Sequence, residues 1–488
     1  MVIESLKYKI LQQFGFAPTQ EQGQALDTFV GFLTDRDPQA VMILRGSAGT
    51  GKTSLSGAIV RTMLQIRQKV MLLAPTGRAA KVFSLGSGAP AYTIHRRIYR
   101  EKAFAGVDGQ FSLNDNLYTD TLFMVDEASM IANMGLGGTT FGSGCLLDDL
   151  VKFVYQGHND RLLLIGDKAQ LPPVGEEESP ALSASVMEGY GLKVYECDLN
   201  EVLRQSQSSG ILYNATLIRQ MITHDAVTGL PLIRFKGFAD IVMMPGAELV
   251  ESLGDSYHHV GMDETMVITR SNKRANIYNN GIRNMVLDRE EELSSGDMLM
   301  IVKNNYFWTE KEKKESGEGS AGAVPAFLAN GDRAKVLRVS NYIELYGFRF
   351  ATLLLQLPDY DDYEMQVTGM LDTLQSEAPA LTHEQQEELF RQVEEDYQHF
   401  VPLKADRMKS IRQDAYFNAL QIKYAYAVTC HKAQGGQWAH VYVDQGYMTD
   451  DMLTPDYIHW LYTAFTRATD KLFLVNWPKE QTCEPTDL

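Results

Sequence analysis

An α/β fold built on open parallel sheets is what this 488-residue sequence predicts. Short apolar runs recur along its first part: VMILR (41–45), VMLLA (70–74), LFMVD (122–126) and RLLLIGD (161–167). Runs without polar alternation mark strands buried on both faces, as helices on either side of a parallel sheet require. A helical pattern over 54–68 separates the first two runs, giving the strand–loop–helix–strand rhythm. Loops of unusual composition follow the runs directly, where open α/β sheets gather their ligands.

Each later element has its own signal. Residues 98–119 break the rhythm, and AGVDGQFSLNDN within them is rich in turn formers. The segment predicts a small hairpin insertion with a tight turn at Asp108-Gly109, between Phe104 and Phe111. A second α/β region begins near Leu199, and 264–286 (ETMVITRSNKRANIYNNGIRNMV) reads as a strand followed by a helix. Residues 309–323 (TEKEKKESGEGSAGA) are charged and glycine-rich, which predicts a flexible surface insertion without assigned structure. Alternation over 333–357 predicts a small β-rich insertion, and EQQEELFRQVEEDY within 377–400 a solvated acidic helix. The stretch 423–477 completes the second region.

Composition narrows the function classes. Apolar residues make up 44% and charged residues 22%, which fits a soluble globular chain of several structural units. Cys145, Cys197, Cys430 and Cys483 have neither zinc-site nor disulfide spacing, so reduced thiols in a cytoplasmic protein are expected. The opening MVIESLKYKILQQ has no secretory pattern, and no stretch approaches the roughly 20 apolar residues of a membrane span. A net charge of -17 argues against a protein that coats nucleic acid, but leaves room for a locally lined channel.

The sharpest motif is Gly46-Ser47-Ala48-Gly49-Thr50-Gly51-Lys52-Thr53, placed between a strand-like run and a helical pattern. It matches the phosphate loop, in which glycines let backbone N–H groups turn inward onto an anion. Lys52 reaches the β- and γ-phosphates, and the Thr53 hydroxyl is a ligand for Mg²⁺. Asp126-Glu127 close the run LFMVD. There Asp126 suits the metal through its water shell, and Glu127 the attacking water. After the next run comes Gly166-Asp167-Lys168-Ala169-Gln170-Leu171-Pro172-Pro173. The Gln170 amide both accepts and donates, so it can report whether a γ-phosphate is present.

These loops, in this order, resemble superfamily 1 DNA helicases, most of all the RecD-like and Dda-like branch. The resemblance covers most of the chain and is weakest over 300–410. It implies two RecA-like parallel-sheet lobes, one over 1–200 carrying the 98–119 hairpin as a candidate strand-separating pin. The other would comprise 201–332 and 411–488, with 333–410 as its inserted β-rich subdomain. It also implies ATP bound between the lobes, with Gln22 reading adenine, although the nearby Gln20 offers the same amide. Arg204 and Arg467 resemble the family's two second-lobe arginines, which reach the γ-phosphate. Pro75, Thr76 and Arg78 resemble one first-lobe DNA-contact motif, and Thr93 with His95 another. Thr429 and His431, in VTCHKAQG, resemble second-lobe contacts, with Gln434 and Gly435 nearer the nucleotide. Asn272 and Lys273 face the second-lobe channel in the same reading, whereas Arg274 is solvated. Gly436-Gln437-Trp438 departs from the serine or acidic residue common in relatives, which blurs the local contact assignment.

The implied activity is ATP hydrolysis coupled to translocation on single-stranded DNA, 5′ to 3′ as that branch moves, with opening of duplex at a junction. The 333–410 insertion would enclose the strand or meet a protein partner. RNA as the substrate, and a nucleotide-dependent switch without unwinding, stay open on the residues alone. The pathway (repair and recombination among them) and the oligomeric state stay open too.

Overall fold

The computed structural model describes the chain apart from residues 1, 106–107, 135–141, 202–207, 224–228, 317–323, 326, 450–451 and 484–488. Two compact units emerge: Met1–Met243 with Ala433–Gln437 and Tyr447–Leu488, and Met244–Lys432 with Trp438–Gly446. The first unit runs past the expected boundary near residue 200 to Met243, and 433–437 and 447–488 group with it and not with the second. Their side chains bond to loops of the first sheet, as described below.

The first unit opens with β1 (Ala40–Gly46), β2 (Lys69–Ala74), β3 (Ala91–Thr93) and a hairpin of β4 (Tyr99–Ala105) and β5 (Asp108–Leu113). Then follow β6 (Thr121–Val125), β7 (Arg161–Gly166) and β8 (Lys193–Leu199). Six of these make one sheet of order β3-β2-β6-β7-β1-β8, and every pairing in it is parallel. β1, β6 and β7 are buried along their whole length, as their unbroken apolar runs predict. Each fully buried Leu, Ile or Met there contributes about 1.5–3 kcal/mol through burial. Apolar residues of Leu6–Phe14 and of the helix Gln20–Thr34 cover one face, and the helix Leu146–Gln156 covers the other.

The hairpin forms where expected, but its turn is displaced. Asp108 pairs with Ala105 and Gly109 with Phe104, inside the ladder. The ladder runs on to the Ala105–Asp108 pair, so Asp108-Gly109 is strand. Phe111 is half-buried against the core of the first unit, which ties it to packing rather than to an exposed pin tip. The side chain of Phe104 lies outside the described residues.

Next along the chain come β9 (Ile241–Met244), β10 (Thr265–Thr269), β11 (Met298–Ile301), β12 (Arg333–Leu345), β13 (Phe348–Leu357) and β14 (Tyr363–Met370). The last four are β15 (Leu420–Tyr424), β16 (Ala427–Thr429), β17 (Trp438–Asp444) and β18 (Ala468–Val475). In the second unit β10 lies between β16 and β17, parallel to both. The β-rich insertion is a closed barrel, β11-β12-β13-β14-β15. It is wider in sequence than expected, since β11 and β15 lie outside 333–410. The acidic helix forms as His383–Gln398, and it is not wholly solvated: Leu389 and Val393 are buried with Phe348 and Phe350. The segment 309–323 is a second correction, because 309–316 belong to the helix Phe307–Ser316. Trp308 anchors it, buried and donating from Nε1 to the Asn418 carbonyl at 2.9 Å. Residues 317–323 lie outside the described residues.

A buried ion-pair hub holds β11 to its neighbours. Asp297, 0% exposed, accepts from Arg283 Nε at 3.0 Å, Arg289 Nη1 at 2.6 Å and the Tyr426 hydroxyl at 2.7 Å. Removing one member of such a network leaves the opposite charge buried and uncompensated. Asp297→Ala is therefore expected to cost about 3–5 kcal/mol. Urea unfolding of the second unit measures it, and an unchanged midpoint would refute the role assigned to the hub.

Candidate active site and nucleic-acid surface

Strand order decides which loops meet. The carboxyl ends of β7 and β1, adjacent in the sheet, carry the Asp167–Gln170 loop and the phosphate loop. β6, beside β7, ends at Asp126-Glu127. β2 and β3, continuing from β6, end at Ala74 and Thr93. Loops expected to hold nucleotide and loops expected to hold DNA therefore share one edge of one sheet, and the acidic pair lies where the two groups adjoin.

The phosphate loop has the conformation its glycines allow. A Cβ at Gly46 would stand 2.9 Å from both Lys52 Cγ and Thr50 Oγ1, closer than real Cβ contacts. Gly51 takes φ 81°, a left-handed value that glycine adopts without strain, and the helix Lys52–Gln65 starts from it. That places Lys52 and Thr53 at a helix N-terminus, where partial positive charge favours an anion. Lys52 Nζ donates to the Ser47 carbonyl at 3.0 Å and also to the Gly46 carbonyl. Gln22 is buried under the loop, with Nε2 donating to the Thr50 carbonyl at 2.9 Å. Its Oε1 completes a capping box with Thr19. Gln20 is exposed, so the structure brings Gln22 rather than Gln20 to the loop.

At the end of β6, Glu127 adopts φ 51°, an uncommon value for a side chain with a Cβ. Asp126 accepts from the Glu127 N–H at 2.9 Å. Burial and then the charge of Glu127 push the Asp126 carboxyl well above the usual carboxylate range, and Lys52 opposes them. Arg467 Nη1 stands 4.0 Å from Glu127 Oε1. The acidic pair thus has Lys52 beside Asp126 and Arg467 beside Glu127. Arg467 is 2% exposed, and its donors reach the Thr463 carbonyl, the Gly436 carbonyl and Thr466 Oγ1, each at 3.1 Å.

Gln170 is buried, and its Oε1 has no hydrogen-bond partner. A buried acceptor left unpaired is costly, and a ligand donor would relieve it. Gln434 Nε2 donates to the Leu171 carbonyl at 2.7 Å, in the loop that carries Gln170. Gly435, at φ 73°, approaches helix Gly77–Ser87: a Cβ there would meet Ala79 Cβ at 3.0 Å and Thr76 Oγ1 at 3.1 Å. Arg204 lies outside the described residues.

The expected DNA-contact residues fall at strand ends in both units. Thr76 caps the helix Gly77–Ser87, accepting from Ala79 N, and Thr93 caps Ile94–Ile98, accepting from Arg96 N. Pro75 leads into the first of these caps, and Arg78 Nη2 donates to the Gln437 carbonyl at 3.0 Å. In the second unit Thr269 and Thr429 are register partners at the ends of β10 and β16. Asn272 and Lys273 begin the helix after β10, and His431 is exposed just beyond β16. Lys273 stands 4.0 Å from Glu377. Arg274 is not simply solvated: its Nε donates to the buried Asp444 at 2.8 Å, because the helix turns it back over the end of β17.

Burial pushes the His95 imidazole down from 6.5 to about 4, with Asp149 opposing. His95 therefore brings no positive charge to a phosphate near neutral pH. Between those two values the unfolded chain binds this proton and the folded one does not. The contribution of His95 to stability is full above pH 6.5 and is lost as pH falls towards 4. Thermal midpoints of His95→Gln are expected to depend less on pH than those of the wild type across that window. Parallel profiles would refute the neutral state.

Sequence reasoning missed several residues. The Tyr462 hydroxyl accepts from Ala48 N at 2.9 Å and donates to Asp167 Oδ2 at 2.6 Å. Thr463 Oγ1 accepts from Leu171 N at 2.8 Å, and His459 Nδ1 is 2.9 Å from the Ala169 carbonyl. Arg219 Nη1 donates to Ser47 Oγ. The four-residue spacing of His459, Thr463 and Arg467 was a usable signal, since it sets them along one helical face.

Comparison with known proteins agrees with this arrangement. Residues 17–229 match the model of an AAA domain, and residues 424–475 match the UvrD-like helicase C-terminal domain. The ATP-dependent RecD2 DNA helicase of Deinococcus radiodurans is 31% identical over 157 residues, 32% of this chain and 18% of that protein. An uncharacterised protein of Methanocaldococcus jannaschii is 34% identical over 168 residues, 32% of this chain and 13% of its own length. An uncharacterised protein of Acanthamoeba polyphaga mimivirus is 22% identical over 508 residues, covering 90% of this chain and 96% of its own. The chain thus spans less than a fifth of two of these relatives and nearly all of the third. Among solved structures, the Pif1 helicase from Bacteroides in complex with ADP-AlF3 and single-stranded DNA overlaps 96% of this chain and 95% of its own, at 13% identity and TM-score 0.45. Residues 17–229 thus carry an AAA domain, which implies ATP binding, and residues 424–475 a UvrD-like helicase C-terminal domain, in the order that the resemblance to superfamily 1 helicases implies.

Proposed function

We propose that this chain is an ATP-driven DNA helicase that translocates on single-stranded DNA and opens duplex at a junction. The observation that carries the reading is the shared sheet edge. Lys52, Asp126, Glu127 and Gln170 come together there with Arg467, and Thr76 and Thr93 lie at the carboxyl ends of the continuing strands. Gly46–Thr53 cradle the triphosphate, with Gln22 steadying the loop at its adenine side. Lys52 draws charge from the γ-phosphate. Glu127 orients a water and takes its proton as the water oxygen bonds to the γ-phosphorus and the bond to the bridging oxygen breaks. Arg467 and Arg204 meet the charge spread over the γ-oxygens, and Gln170 reports that phosphate through its open amide oxygen.

Thr53 and Asp126 would hold Mg²⁺. Both offer hard oxygen donors, and a cation offsets what raises the Asp126 carboxyl. When bound, the ion neutralises phosphate charge.

Pro75, Thr76, Arg78, Thr93 and His95 grip the strand from the first unit, and Asn272, Lys273, Thr429 and His431 from the second. Contacts on separate units let one set hold while the other releases, and nucleotide turnover biases the exchange. Movement runs 5′ to 3′. Four free thiols suit the cytoplasm. ATP turnover is expected to rise at least about tenfold with single-stranded DNA and less with RNA of matched sequence. Equal turnover with and without nucleic acid would favour a switch that does not unwind.

A further inference from the structure

Ser47 and Ala48, the second and third residues of the phosphate loop, are held by side chains from outside the family motifs' expected contacts. Arg219, on the helix Gly210–Thr223, donates to Ser47 Oγ. The Ser47 carbonyl in turn accepts from Lys52 Nζ at 3.0 Å and from Thr50 Oγ1 at 2.8 Å. Ala48 N donates to the Tyr462 hydroxyl, which passes its own hydrogen to Asp167. Asp167 organises the reporter loop, accepting from Ala169 N at 3.0 Å through its side chain and from Gln170 N at 3.3 Å through its carbonyl. Tyr462 is buried, and burial together with the charge of Asp167 keeps its phenol protonated far above neutral pH. One hydroxyl therefore joins the phosphate loop to the Gln170 loop through an unbroken chain of hydrogen bonds. The same helix carries Thr463 to the backbone of Leu171, and it ends just before Arg467.

We infer that Tyr462 and Arg219 are positioning residues for hydrolysis: they clamp Ser47 and Ala48, and Tyr462 sets the phosphate loop in register with Gln170 and Arg467. Neither residue needs to touch the nucleotide. Their effect is on the placement of groups that act in the transition state, where small displacements cost rate more than binding. Tyr462→Phe keeps the ring and its packing but breaks both links, leaving Ala48 N and Asp167 Oδ2 each short of a partner. Arg219→Lys keeps a donor for Ser47 Oγ, and Arg219→Ala removes it.

The inference rests on the ATPase reading, and the test separates the two. Steady-state ATP hydrolysis at saturating single-stranded DNA is measured for the full chain and the three variants, with ADP affinity and the thermal midpoint. Tyr462→Phe is expected to lose about tenfold in kcat, with KM and ADP affinity within about threefold of wild type. Arg219→Ala is expected to lose about tenfold in kcat and Arg219→Lys to recover most of it. A wild-type kcat in Tyr462→Phe, or a loss that merely follows the folded fraction, would overturn the clamp. If Tyr462→Phe does not fold, the arginine pair decides, and equal kcat for Arg219→Ala and wild type overturns it. Absence of turnover in the wild-type protein would instead sink the ATPase reading itself.

Discussion

Arg467→Ala is expected to lower ATP turnover about a thousandfold, the scale of a lost arginine finger. The ATP dissociation constant is expected to move less than about tenfold, because the charge it meets develops mainly in the transition state. Its position explains the size. The guanidinium is buried and held by three backbone or hydroxyl oxygens, and one edge lies 4.0 Å from Glu127. Arg467→Lys retains the charge but not the planar fork, so it recovers only part of the rate. Single-turnover hydrolysis with nucleotide binding measured separately distinguishes the two effects. Equal loss in binding and rate would make Arg467 a ground-state anchor and not a transition-state group.

Lys52→Ala carries the other large effect, a loss in ATP turnover of about a hundredfold or more. Lys52 leads the helix that rises from the loop, and its charge is felt at Asp126. No other described lysine bonds to the carbonyls of Gly46 and Ser47, so no neighbour substitutes for it there. Rapid-quench measurement of phosphate release checks the loss. Normal turnover in this variant would show that the site assigned to nucleotide is elsewhere.

How far the sequence could be read depends on whether a feature is local. The strands β1, β2, β6 and β7 announce themselves because burial on both faces leaves continuous apolar runs. The phosphate loop is legible because its backbone needs glycine at fixed places, and Asp126-Glu127 because the pair directly ends a strand. What escaped depends on tertiary pairing. The hairpin turn was misplaced because cross-strand pairing extends to Ala105 and Asp108, which no turn preference reveals. Helix formation through Ser316 rests on the burial of Trp308 against a carbonyl more than a hundred residues away. The bonds from Tyr462 to Ala48 and Asp167 join segments about 414 and 295 residues apart. Nothing local to a tyrosine in an apolar helix signals such partners. Gln22 is intermediate: its capping box is local, and its bond to Thr50 is not.

Strand separation on duplexes bearing a single tail tests the central claim most directly. With ATP, the protein is expected to open a duplex with a 5′ single-stranded tail and to leave one with only a 3′ tail largely paired. A non-hydrolysable ATP analogue is expected to abolish opening. Equal opening with the analogue would contradict a hydrolysis-driven motor, and preference for the 3′ tail would contradict the direction assigned to it.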